Sequence, residues 1–347
     1  MSRNPVVPSF AVITGEQVAH ILTGGEQQVV DLAEQVYRLH GQGSTVNPPS
    51  YFLRFPDRPS SRIIALPASV GGEQPTDGLK WISSFPENVA SGIPRASAVL
   101  ILNDHDTGYP FACLESSIIS ASRTAASAVL AAGRLSPGRR PRRIGFIGTG
   151  LIARYIHRYF EATGWTFDEV GVHDLSGEHA LAFAGYLGGR PDAAPVVNHG
   201  TAEELIRASD LVVFATVAGA PHVHEPAWFA HHPLVLNVSL RDVAPEVVLA
   251  SANFVDDVEH CLKADTSVHL TEQRVENRDF IDGTLYDVLE GRVEVPTDRT
   301  VIFSPFGLGV LDIALGRHVH DRLRESRQLG VVEGFFHELD RYGRTGA

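Results

Sequence analysis

Apolar residues near the start of the chain recur at helical spacing, first Val18, Ile21 and Leu22, then Val29, Leu32, Ala33, Val36 and Leu39. The spacing predicts two amphipathic helices, and Thr14 followed three positions on by Gln17 has the form of a capping box for the first. From residue 51 the period changes. Segments 51–55, 62–68, 79–84 and 97–102 are short, rich in β-branched and aromatic residues, and separated by Pro, Gly, Asp and Asn. They predict consecutive strands in an antiparallel or mixed sheet. The Ala- and Ser-rich segment 118–132 returns to helical spacing and is followed by Gly133, a candidate C-cap. This helix is expected to join two domains. Beyond Arg143, apolar runs at 144–147, 169–173, 211–215 and 234–238 alternate with helical patterns starting at Leu151 and Glu178. That is the βαβ rhythm of a parallel doubly wound sheet. The expected class is α/β, a Rossmann sheet with a second α+β domain.

Composition narrows the partners. With 347 residues, 44% hydrophobic and 20% charged, the chain is long enough for two globular domains. No run approaches the ~20 apolar residues of a membrane helix, and no charged start precedes an apolar core, so a cytoplasmic protein without a membrane partner is expected. A net charge of −12 argues against nucleic acid. Arg134, Arg139, Arg140, Arg142 and Arg143 are a local exception, readable as an anion-binding patch or as a solvated loop; Pro137-Gly138 and Pro141 break any helical face there and favour the loop. Cys113 and Cys261 are too far apart for a disulfide framework or a clustered metal site and read as buried small residues.

The run Gly148-Thr149-Gly150-Leu151-Ile152-Ala153 lies between an apolar strand and a helix. Gly148 permits a tight turn, Gly150 lets the backbone approach phosphate, and Ala153 is small enough for the helix to pack on the strand. The helix would then aim its unpaired N–H groups at a pyrophosphate. Asp174, 24 positions beyond Gly150, ends the next strand. A carboxylate there accepts from ribose hydroxyls and repels a 2′-phosphate, which favours NAD over NADP; the alternative is a helix N-cap. Thr216, Val217 and Ser239 follow later strands, where an open parallel sheet meets its ligand.

Hydride transfer to such a cofactor needs a carboxylate anchor and a group that moves protons. Arg54 and Arg123 are candidate anchors by their planar guanidinium; a surface Arg on a helix is the other reading of Arg123. Lys80 interrupts an apolar strand, either as a partly buried ammonium or as an edge-strand lysine. Asp242 follows the run 234–238 and is a candidate general acid or base, or a turn residue. His222, His224, His231 and His232 are the one cluster that suggests zinc, but no Cys or well-spaced carboxylate completes it, so no metal is expected.

Gly78-Leu79-Lys80, Phe85-Pro86-Glu87-Asn88, Arg123-Thr124-Ala125-Ala126, the turn at Gly148 and Phe303-Ser304-Pro305-Phe306-Gly307 together resemble the ornithine cyclodeaminase and mu-crystallin family. Segments 80–88, 92–100 and 107–115 look most like the branch that makes 2,3-diaminopropionate for siderophores and peptide antibiotics. The resemblance implies a substrate and dimerisation domain from residues 1–122 plus 318–347, a Rossmann domain at 123–317, a homodimer, and NAD as cofactor. It implies that Arg54 and Arg123 hold substrate carboxylate, that Lys80 sits beside the reacting carbon or carboxylate, and that Asp242 is the general acid or base. Cofactor contacts would come from Thr124, Gly148, Thr149, Gly150, Leu151, Ile152, Asp174, Thr216, Val217, Ser239 and Gly307. The implied reaction is NAD-dependent oxidation and hydrolysis of N-(1-amino-1-carboxy-2-ethyl)-glutamate, an amino-acid substrate, to 2,3-diaminopropionate and 2-oxoglutarate. Ornithine cyclodeamination, ketimine reduction and non-catalytic nucleotide binding stand as alternatives. The sequence around Arg54 matches loosely, and Arg58 could take its place. Asn237-Val238-Ser239-Leu240-Arg241-Asp242 replaces the family's usual glycine and alanine, which argues against ring closure.

Overall fold

The computed structural model describes residues 8–138, 140–189 and 193–337; Arg139 of the arginine cluster and positions 338–347 of the expected C-terminal segment lie outside them. The chain divides into two compact units. One takes in the chain up to Gly25, Gln42–Ser120 and the chain from Gly309; the other takes in Glu26–Gly41 and Ala121–Leu308.

The first unit is built on seven strands: β1 (Ala11–Ile13), β2 (Thr45–Val46), β3 (Tyr51–Phe55), β4 (Arg58–Val70), β5 (Thr76–Ser84), β6 (Ala96–Asp104) and β7 (Pro110–Glu115). Their order is β1-β7-β6-β5-β4-β2, with β3 also paired to β4. All pairings are antiparallel except β1 on β7. Cross-strand neighbours share a face. One row contains Lys80, Leu100 and Leu114, all buried; the adjacent row contains Tyr51, Ala65, Trp81 and Val99, of which Tyr51, Trp81 and Val99 are exposed. Helix Gly309–Glu325 lies over the buried face, close enough at Gly316 to leave no room for a Cβ against Leu100. The C-terminal segment returns to this unit: Val331 bridges Ala11, and the ring of Phe335 stacks on Phe10 at 3.8 Å. The capping box at Thr14 and Gln17 is formed in full.

The second unit carries β8 (Arg143–Ile147), β9 (Glu169–His173), β10 (Val196–Asn198), β11 (Leu211–Phe214), β12 (Leu234–Asn237), β13 (Ala252–Val255), β14 (Ile281–Thr284) and β15 (Val301–Ser304). They form one parallel sheet in the order β10-β9-β8-β11-β12-β15-β13-β14. This is the doubly wound Rossmann arrangement, in which the strand order reverses between β8 and β11. β11, β12, β13 and β15 are buried at every position, so they read as continuous runs rather than alternations.

Helix Glu26–Gly41 belongs to this second unit, although its sequence follows directly on the N-terminal helix. Side-chain bonds fix it there: Tyr37 Oη to Ser127 Oγ at 3.1 Å, His40 Nε2 to Asp257 Oδ2 at 3.0 Å, and Arg38 to Glu290. The boundary between the units falls inside helix Ser117–Arg134. Gly133 lies within that helix and is not its C-cap; the helical bonding continues to Leu135, whose N–H donates to Ala131, and Pro137 stands just beyond. Arginines near this loop meet carboxylates: Arg134 pairs with Glu34, Arg142 with Asp168, and the Arg142 and Arg143 amides both donate to Asp210. Among the described residues, no helix is long and apolar enough to cross a membrane.

Candidate active site

The switch in strand order opens the sheet where β8 and β11 end, and the glycine turn sits there. Gly148 has φ +85°, and a Cβ at this position would come within 2.7 Å of the Ala215 carbonyl oxygen at the end of β11. Only glycine allows the two strand ends to meet this closely. Gly150 faces open space, and helix Leu151–Ala162 begins from it without a side-chain cap, which leaves its first N–H groups for an anion. Ala153 is fully buried, as its packing role requires. Asp174 directly follows β9. Its Oδ2 accepts from the Thr149 amide and hydroxyl, each at 2.9 Å, and its Oδ1 from the Ser176 amide at 2.9 Å. Burial alone would raise the Asp174 pKa, but these three bonds outweigh it and hold the carboxyl below its ordinary value. The N-cap of the following helix is Ser176, which leaves Asp174 in its place beside the turn. Leu151, Leu175 and Val217 are exposed apolar side chains on the turns that follow β8, β9 and β11. The cradle at Gly148, the open space at Gly150 and this apolar rim fit a dinucleotide.

Further along the same sheet, Asn237 ends β12, and the turn after it brings Ser239 and Asp242 back toward Thr216. Asp242 is fully buried. Its oxygens accept from Thr216 Oγ1, Ser239 Oγ and His222 Nε2, the last at 2.9 Å. Thr216 and Ser239 are thus joined through this carboxylate. Gly307 has φ +92°, and its amide donates to buried Asp256 at 2.7 Å; a Cβ there would lie 2.5 Å from Arg123 Nη1. Arg123 and Gly307 are therefore neighbours, with Thr124 the next residue on the Arg123 helix. Burial pushes the Asp256 carboxyl up. Sequence reasoning missed Asp256; its signal is an acidic residue directly after the apolar pair Phe254-Val255.

In the first unit, Lys80 is 2% exposed, on the covered face of a strand with neighbours on both sides, so the edge-strand reading does not apply. Its Nζ meets Asp312 Oδ2 at 2.6 Å and Ser120 Oγ at 3.3 Å. Asp312, in the first turn of helix Gly309–Glu325, is a second residue that sequence reasoning missed. Arg54 is exposed, with its guanidinium 5.1 Å from the Phe52 ring centroid, whereas Arg58 lies over Phe55 and Phe85 and pairs with Asp57. The zinc reading of the histidines finds no ligand set: His224 and His231 bond the carbonyls of Pro221 and Ser209, and among the described residues no three metal-ligating side chains converge.

Known proteins resemble this chain in sequence and fold. The N-((2S)-2-amino-2-carboxyethyl)-L-glutamate dehydrogenase of Staphylococcus aureus is 28% identical over 314 residues, covering 87% of this chain and 92% of the relative. The crystal structure of CmnK superposes with a TM-score of 0.84 at 30% identity, over 95% of this chain and 100% of that one. An archaeal alanine dehydrogenase dimer with bound NAD superposes with a TM-score of 0.80 at 24% identity, over 94% and 100%, and shares the fold. The model of the ornithine cyclodeaminase/mu-crystallin family matches residues 14–327, a span that holds Lys80, Arg123, the Gly148 turn, Asp242 and Gly307, and the chain belongs to that family.

Proposed function

We propose that this protein is an NAD-dependent amino-acid oxidoreductase that oxidises and hydrolyses N-((2S)-2-amino-2-carboxyethyl)-L-glutamate to 2,3-diaminopropionate and 2-oxoglutarate. The products would feed siderophore or peptide natural-product synthesis in the cytoplasm. One observation carries the cofactor: Gly148 pressed against the Ala215 carbonyl at the reversal of strand order, with Asp174 braced on Thr149. The substrate rests on likeness to the Staphylococcus aureus dehydrogenase and on chemistry. A substrate with several carboxylates requires several cations, and Arg54, Lys80 and Arg123 supply them.

Bound NAD would supply a hydride acceptor for the glutamyl Cα, and loss of that hydride would leave the substrate C–N bond as an iminium. The amides of Gly150, Leu151 and Ile152 would receive the pyrophosphate beside Thr149, whose own amide is held by Asp174; Asp174 would receive the ribose hydroxyls, and Thr124, Thr216, Val217, Ser239 and Gly307 would hold the rest of the dinucleotide. Arg123 and Lys80 are each assigned a substrate carboxylate. Water then adds to the iminium carbon and the C–N bond breaks, with proton transfers assigned to the cluster around Asp242. The protein acts as a homodimer through the exposed face of the first sheet, where Tyr51, Trp81 and Val99 lie side by side.

The test is incubation of the purified protein with NAD and the glutamate adduct, with ornithine alongside, following NADH by absorbance and the products by mass. NADH appearing with 2-oxoglutarate is the expected result. Proline and ammonia from ornithine, or no turnover of the adduct, overturns the proposal.

A further inference from the structure

Asp242 is the residue whose position singles it out for proton transfer, yet its side chain is 0% exposed. Both of its oxygens are occupied. Oδ1 accepts from Thr216 Oγ1 and His222 Nε2, and Oδ2 accepts from Ser239 Oγ. The His222 ring, by contrast, is 40% exposed. We infer that His222 exchanges protons with the reacting centre and that Asp242 is its positioning residue, an inference that rests on the dehydrogenase reading above.

The pair is held by backbone as well as by side chains. The amides of His222 and Val223 both donate to the Asp242 carbonyl at 3.0 Å, and the Ala244 amide donates to Val223 at 2.9 Å, so the two segments form a short parallel bridge. The turn that presents the carboxylate is strained: Leu240 has φ +80°, in the left-handed region that disfavours a non-glycine residue. It is pinned from outside, by the Ser267 amide on the Leu240 carbonyl at 2.8 Å and by Arg241 Nη2 on the Ala264 carbonyl at 2.9 Å. Strain kept in place by such bonds marks a turn whose geometry matters more than its stability.

The bond to Asp242 also fixes the tautomer. Nε2 carries the hydrogen that it donates to the carboxylate, and Nδ1 is left as the basic nitrogen. As water attacks the iminium carbon, Nδ1 takes one water proton, giving a carbinolamine and an imidazolium stabilised by Asp242. The imidazolium returns that proton to the substrate nitrogen. The C–N bond breaks, its electron pair leaves with the amine, and the carbinol O–H proton passes to Nδ1 as the keto acid forms. The sum is amine, water and NAD⁺ giving keto acid, free amine, NADH and one proton.

Three variants test this. His222→Gln should lower kcat on the adduct by about 100-fold or more, with NAD affinity, read by fluorescence titration, unchanged. His222→Ala should regain part of the rate when imidazole is added. In nitrogen-15 spectra the His222 ring, assigned by its loss in His222→Gln, should carry its proton on Nε2 and lose that preference in Asp242→Asn. An unchanged kcat in His222→Gln, or a ring protonated at Nδ1 in the wild-type protein, overturns the inference. Failure of the dehydrogenase reading shows differently, in the wild-type protein: if it makes proline and ammonia from ornithine and leaves the adduct unchanged, the same variants decide the inference on ornithine. If it turns over neither, the ring tautomer decides it.

Discussion

Lys80 sits in Gly78-Leu79-Lys80-Trp81-Ile82, a run whose alternation sends every second side chain to a covered face. An ammonium there was visible in the sequence as an anomaly. Its partner was not, because Asp312 lies 232 positions away and meets it only after the C-terminal helix folds over the sheet. Taking two charges out of water costs several kcal/mol each, and their pairing has to offset that. Removing one partner leaves the other charge buried, so Asp312→Asn should destabilise the protein by about 3–5 kcal/mol. The double variant Lys80→Met with Asp312→Leu removes both charges and should unfold near the wild-type temperature. Thermal unfolding of the two variants checks this; a single variant as stable as the wild-type protein would show that the pair contributes nothing to the fold. The retention of such a pair in a face otherwise lined by Leu100 and Leu114 is better explained by the chemistry proposed for Lys80 than by stability.

β8, its glycine turn, the following helix and the end of β9 were legible together, since glycines, apolar strand and acidic residue all fall between Arg143 and Asp174 and each has a local reason to be there. The tie between Asp174 and Thr149 could not be read from spacing. It makes the acidic residue a brace for the turn as well as the residue proposed to receive the ribose. Asp174→Ala should therefore weaken NAD by about 10-fold to 100-fold, the worth of hydrogen bonds to a charged group, and relax discrimination against NADP. Fluorescence titration with both cofactors measures this, and unchanged affinity for both would mean that the ribose is held elsewhere. Other elements escaped the sequence for physical reasons. β1 spans three residues, too few to show a period, and β13, β14 and β15 are four-residue strands, three of whose members are Asn253, Asp282 and Gly283. Helix Glu26–Gly41 was legible as a helix but not as part of the second unit, because the bonds of Tyr37, Arg38 and His40 reach residues about 90 to 250 positions later.

For the whole molecule, the open question is what covers the outer face of the first sheet. The pairing register sets Tyr51, Ala65, Trp81 and Val99 across four strands, with Val12 and Leu53 on adjoining rows of the same face, and of these Val12, Tyr51, Leu53, Trp81 and Val99 are exposed. Scattered apolar side chains need no partner, but a contiguous row on a sheet does. A second copy is the simplest cover, since a two-fold axis brings the same patch against itself and leaves no surface unmatched. In such an interface a charge at Trp81 or Val99 is buried twice, once on each copy, so Trp81→Glu or Val99→Asp should convert a dimer to a monomer at micromolar concentration. Light scattering after gel filtration reads the outcome directly: a monomeric wild-type protein, or dimeric variants, would remove this face from the assembly. NAD titration of the same variants separates assembly from misfolding. Gly148, Asp174, Thr216 and Gly307 all belong to the second unit, so a monomer that binds NAD with wild-type affinity has lost the partner and kept the cofactor fold.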